Sequence, residues 1–131
     1  MQDRPTAEEL LAAVRAFLED DVVPALDGPP RFHARVAANV LAIVARELDG
    51  EDARLRTEWT ALMTLLGRDA ATAPGGLPAL RAAVREATEE LAARIRRGDA
   101  DAGPFRDAVR AHVRAVVQEK LRIANPRFAT R

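Results

Sequence analysis

Apolar residues recur along this chain at intervals of three and four, the period of helices set against a core, and no stretch alternates as a strand would. The central period runs from Arg31 to Leu48, between Pro29-Pro30 and Gly50. At about 100° per residue, Phe32, Val36, Val40 and Ile43 share one sector of it, and Val44, Ala37, Leu48 and Leu41 widen that sector round one side. So broad an arc calls for neighbours on several sides. Its polar residues are the unusual part: His33 and Glu47 fall inside the arc, while Arg35, Asn39 and Arg46 line its edge.

Four further helices flank this one. Thr6 and Glu9 have the spacing of a capping box, which starts a first helix over about 6–26 with Leu10, Leu11, Val14, Phe17 and Leu18 as its stripe. Pro24 either ends or kinks that helix, and Gly28-Pro-Pro30 breaks the chain before the central helix over about 30–49. Gly50 is placed as a left-handed cap. A third helix over about 51–67 carries Leu55, Trp59, Leu62, Met63 and Leu66, with Trp59 read as core. The segment 68–78 is longer than connections usual in bundles and is read as the mobile loop. A fourth helix over about 78–97 turns Leu80, Val84, Ala87, Leu91 and Ile95 to its core face. Pro104 opens the fifth, over about 104–124, with Phe105, Val109, Val113, Val116 and Val117 as its stripe. Asn125-Pro126 ends it and leaves a tail, read as folding back to pack Phe128 and pair Arg127. Together these periods predict an all-α antiparallel bundle of about five helices in a single domain.

Composition narrows the chemistry. With 131 residues and no cysteine the chain needs no staples, and neither a disulfide framework nor a thiolate metal site is available. Twenty basic residues balance twenty acidic ones, which removes the long-range attraction that drives non-specific nucleic-acid binding. One Trp and no Tyr also argue against a base-stacking platform. The amino-terminal residues lack a basic segment followed by an apolar one, and no run reaches the ~18 apolar residues of a membrane span. A cytoplasmic protein is the expectation, with no nucleic-acid or membrane partner.

Ionisable residues on apolar faces are the sharpest candidates for function. His33 and Glu47 lie on the central helix, and His112 and Lys120 lie within the stripe of the fifth. A buried charge is costly unless paired, so each implies a partner or a wet pocket. His33 and Glu47 cannot serve each other within one helix, being about 21 Å apart. An antiparallel second and fifth helix would bring Glu47 towards His112, and His33 towards Lys120 and Asn125. Such pairs suit either a register-fixing hydrogen bond or an acid-base dyad; the structural role is the expected one, and Glu47, His112, Lys120, Asn125 and Arg127 are read as buried polar residues of that kind. With two histidines and no His-x-x-x-His or Glu-x-x-His spacing, no metal site, cofactor or catalytic residue is assigned. His33, Arg35, Asn39 and Arg46 form the candidate ligand or partner edge, since arginine forks accept carboxylates and phosphates.

The opening Met1-Gln-Asp-Arg-Pro-Thr-Ala-Glu-Glu-Leu-Leu11, the core Phe32-His-Ala-Arg-Val-Ala-Ala-Asn-Val-Leu-Ala-Ile-Val-Ala-Arg-Glu-Leu48 and the closing Lys120-Leu-Arg-Ile-Ala-Asn-Pro-Arg-Phe128 resemble a bacterial family of uncharacterised small helical proteins. Members stand beside, or are joined to, aminoglycoside-phosphotransferase-like kinases and acyl-CoA dehydrogenases. The resemblance implies a partnership with such an enzyme and carries over no catalytic residues. A non-catalytic accessory protein is therefore expected. The alternative is a binder of an acyl or phosphorylated metabolite held between helices, and a homo-oligomer is open because the excess apolar width of the central helix can be buried by another copy.

Overall fold

A computed structural model describes residues 4–129. It is all-helical, a helical bundle in class, with no strand among the described residues. The helices are α1 (Ala7–Phe17), α2 (Val23–Ala25), α3 (Gly28–Leu48), α4 (Glu51–Leu66), α5 (Leu77–Arg96), α6 (Gly103–Ala124) and α7 (Pro126–Ala129). They fall into two compact units, one built on the chain up to Asp49 with Ile123–Asn125, the other on Gly50–Arg122 with the segment from Pro126. Residues 130 and 131 of the tail lie outside the described residues, as do residues 1–3, on which the reading of the amino-terminus rests.

In the first unit the capping box forms as its spacing predicts. Thr6 Oγ1 accepts from the Glu9 amide at 3.2 Å, and the Glu9 carboxylate accepts from the Thr6 amide at 2.7 Å. Pro24 does not itself stop the helix; the chain passes through a π-helical turn, Leu18–Val22, just ahead of it. There the Val23 amide donates to the Leu18 carbonyl, five residues back. Proline supplies no amide and its ring crowds the carbonyl four residues earlier, so widening the preceding turn lets the helical path continue to Ala25. Leu26 and Asp27 then turn the chain, and α3 packs back on α1.

The packing face of α3 differs from the expected one. Ala34, Ala38 and Ala42 are its buried residues, about 180° round the helix from Val36 and Val40. Phe32, Val36 and Val40 are exposed, as are Leu10, Val14 and Phe17 of α1, whereas Leu11, Leu18, Val22 and Leu41 are half-buried and Val23 is buried. Alanine lets two helix backbones approach closely, and the hairpin has used that small-residue edge for its seam. The broad β-branched arc is left outside.

In the second unit, by contrast, the predicted faces of α4 and α5 point inward. Trp59, Leu62, Met63 and Leu66 of α4 pack with Leu80, Val84, Ala87 and Leu91 of α5 and Val109 of α6, and Leu62 and Leu80 are fully enclosed. Ile95, expected in this core, is exposed, as are Val113 and Val117 of the predicted stripe of α6. Gly67 closes α4 at φ +72°, a left-handed conformation that favours glycine, and Gly50 opens it at φ +68°.

One pair departs from up-and-down order. Glu51, the first residue of α4, is gripped by Arg81 near the start of α5 through two hydrogen bonds of 2.7 and 2.6 Å. At the other end, Arg94 near the close of α5 donates to the carbonyl of Leu66, the last residue of α4, at 3.3 Å. The two helices therefore run parallel. Segment 67–76 is the return connection, with Ala70 and Ala73 packed on the core as it passes. Its length, unusual for a bundle hairpin, is what a parallel pair requires. Arg54 of α4 lies 3.9 Å from Glu119 of α6, which sets the start of α4 beside the later part of α6.

Candidate functional site

The residues read as the candidate edge lie on α3 and divide into two groups. Arg35 and Asn39, one turn apart, are exposed, as is His33. The His33 ring lies 5.9 Å from that of Phe32, tilted by 60°, so the two adjacent aromatics stand together on the outside of the helix. Arg46 is different. It is half-buried, and its Nε donates to the Ile123 carbonyl at 2.7 Å, tying α3 to the end of α6 within the first unit. Its place in the edge is thus at least partly structural.

The five residues read as buried polar groups are not buried. Glu47, Lys120, Asn125 and Arg127 are exposed and His112 is half-buried; among the described residues no polar or charged residue is fully buried. Glu47, His112 and Lys120 do lie in apolar arcs, but on α3 and α6 much of those arcs faces outward, so these groups stay hydrated. Glu47 and His112 belong to different units. Phe128, read as packed under a folded-back tail, is exposed in the short helix α7. Proline at position 126 opens that extra helical turn and carries Phe128 outward.

Two ionisable groups of the second unit are shifted, and both shifts have structural causes. The paired hydrogen bonds from Arg81 hold the Glu51 carboxyl below its ordinary range, against a smaller opposing effect of burial. Hydrogen bonds from Arg56 to Asp52, at 2.6 and 3.2 Å, stabilise the charged guanidinium still further. Both are ion pairs at helix surfaces. No group of three or more His, Cys, Asp or Glu residues that could hold a metal ion occurs among the described residues. No described helix is long and apolar enough to cross a membrane.

What the molecule does display is uncovered apolar side chain on the first unit. Leu10, Val14 and Phe17 of α1 are 52%, 50% and 58% exposed, and Phe32, Val36 and Val40 of α3 are 63%, 44% and 49% exposed. Sequence periodicity identified both stripes, yet it assigned them to the core, because periodicity reports that a face is apolar and not what covers it.

A family model for a domain of unknown function, DUF6285, matches residues 24–128. The chain belongs to the DUF6285 family. No curated protein and no solved structure matches it. The DUF6285 match begins within α2 and takes in the whole of α3, α4, α5 and α6, so the exposed stripe of α3 lies inside the family domain and that of α1 lies before it.

Proposed function

We propose that this DUF6285 protein is a non-catalytic helical accessory protein that acts by docking onto an enzyme. The observation that carries this reading is the α1 stripe, in which Leu10, Val14 and Phe17 stand at spacings of four and three with half or more of their surface open to solvent. Rows of this kind on one helix are the pattern by which an amphipathic helix fills a partner's groove. Arg35 and Asn39 of α3 add polar groups able to bond a partner's carboxylates or main chain. The partner class follows from the resemblance to proteins that accompany aminoglycoside-phosphotransferase-like kinases and acyl-CoA dehydrogenases; either enzyme is the proposed client.

The test is affinity capture of the tagged protein from its native host. A kinase-like or dehydrogenase-like enzyme recovered in stoichiometric amount, and lost when Val14 and Phe17 are both changed to Ser, is the expected result. Recovery of neither enzyme removes the proposal.

A further inference from the structure

On α6 a row of side chains recurs at spacings of three, four and three: Arg110, Val113, Val117 and Lys120, all of them exposed. These spacings hold the row within one sector of the helix, roughly 80° wide. Val113 and Val117, one turn apart, are 46% and 48% exposed. Arg114 stands exposed beside them, one turn on from Arg110. The cations of this face have no counter-ions in the fold. Both carboxylates of α6 are engaged elsewhere: Asp107 by Arg106 at 3.1 Å, and Glu119 by Arg122 at 3.1 Å with Arg54 of α4 3.9 Å away. Arg110, Arg114 and Lys120 take part in no hydrogen bond or ion pair among the described residues. We propose that this face of α6 docks an acidic amphipathic helix of a partner protein, which sets a pair of apolar side chains on Val113 and Val117 and a carboxylate at each end of them.

The pattern of charge selects that occupant. Arg110 and Lys120 stand about 15 Å apart along the helix, one at each end of the valine pair. A second copy laid on the same row brings Arg110 against Lys120 when antiparallel and each cation against its own equivalent when parallel, so self-pairing is repelled in both directions. A lipid surface takes up large apolar side chains such as Trp, Phe and Leu, and this row offers two valines. A nucleic-acid backbone meets the cations but leaves the valines uncovered. A helix with Glu or Asp at positions i and i+10, and Leu or Ile at i+3 and i+7, matches all four positions of the row. Its apolar pair is buried with Val113 and Val117, and its carboxylates lie by Arg110 and Lys120, with Arg114 as a further forked donor. Charges at the rim of such a contact set its specificity and its rate of encounter more than its raw strength. The surface lies on a different helix from the enzyme-docking stripe of α1 and stands whether or not that reading holds.

The probe is a labelled, alanine-rich helical peptide of about 20 residues that carries Glu, Leu, Leu and Glu at spacings of three, four and three. Its fluorescence anisotropy with the full-length protein is expected to saturate with a micromolar Kd and to weaken as salt is raised. R110E combined with K120E is expected to weaken binding about tenfold or more. A peptide with Lys in place of both Glu residues is expected to bind that double variant and not the wild type. V113S combined with V117S, or Ala in place of both peptide leucines, is also expected to lose binding; circular dichroism checks that each protein variant remains helical. Absence of saturable binding at high micromolar concentration overturns the proposal, and so does equal binding by the R110E and K120E double variant. Equal binding of the peptide without leucines overturns it as well, since the contact is then unspecific ion attraction. Co-sedimentation with phosphatidylserine vesicles that R110E and K120E abolish, with no binding of the peptide, assigns the row to a lipid surface and overturns the protein partner.

Discussion

Arg46 donates from Nε to the main-chain carbonyl of Ile123 at 2.7 Å, joining the last turn of α3 to the last turn of α6 across 77 positions of sequence. The carbonyls of a final helical turn have no partner within the helix, and a charged donor satisfies one of them here. Arg46→Met keeps most of the apolar stem and removes the bond. It is expected to cost about 1–2 kcal/mol of the local stability of residues 120–125. Native-state hydrogen exchange reads this as faster exchange of those amides, with the amides of α4 and α5 unchanged.

Acid sensitivity follows from Glu51 and Arg81. Because the folded-state carboxyl titrates below its unfolded value, the pair contributes stability that is fully present above the unfolded carboxylate pKa. That contribution disappears as pH falls through the folded-state value. Glu51→Gln is expected to cost about 0.5–1 kcal/mol at neutral pH, the upper range for an ion pair at the surface. Urea melts at pH 7 and at pH 3 provide the check, with the gap between wild type and variant shrinking at the lower pH.

The parallel arrangement of α4 and α5 sets a minimum length for the segment between them. Sixteen residues of α4 span about 24 Å, which the chain must retrace before α5 begins. The ten residues 67–76 reach at most about 33–36 Å when extended; six would reach only about 20–22 Å. Deleting Ala71–Pro74 is therefore expected to abolish cooperative unfolding, while inserting four Gly/Ser residues at the same point costs about 0.6 kcal/mol or less. Denaturation followed by circular dichroism separates the two outcomes.

Leu62 and Leu80 are the two large side chains fully enclosed among the described residues. Leu62→Ala and Leu80→Ala are each expected to lower the free energy of unfolding by about 2–5 kcal/mol, since the cavity left behind adds to the lost burial. Because both lie in one cluster, the double variant is expected to depart from the sum of the singles. Equilibrium urea unfolding of the four proteins measures this.

At the seam of α1 and α3 the sensitive direction is the opposite. Ala38 is buried where the helices come close, so Ala38→Leu is expected to cost about 1–3 kcal/mol by overpacking. Val36→Ala, on the exposed side, is expected to change the unfolding free energy by less than about 0.5 kcal/mol. Thermal melts at low protein concentration, compared at their midpoints, decide between them.

Local rules account for what was legible without coordinates. The spacing of Thr6 and Glu9 started α1, the glycine at 50 opened α4, and the three- and four-residue recurrence of Trp59, Leu62, Met63 and Leu66 identified a face that does enter the core. Each of these depends on residues within a turn or two of one another. The unusual length of 68–78 was visible too, but its purpose was not: only the contacts of Arg81 with Glu51 and of Arg94 with Leu66 establish that α4 and α5 run the same way.

What the sequence by itself determined is the set of helices and the apolar arc that each one carries, because helical period and capping are properties of neighbouring residues. Tertiary structure decided which arc is covered. Two edges of α3 compete for α1, one small and flat at Ala34, Ala38 and Ala42, the other bulky at Phe32, Val36 and Val40. Hydropathy favours the second, while close approach of two backbones favours the first. The alanine edge forms the buried side, and with that choice His33 and Glu47 became surface residues and Arg46 a tether to Ile123.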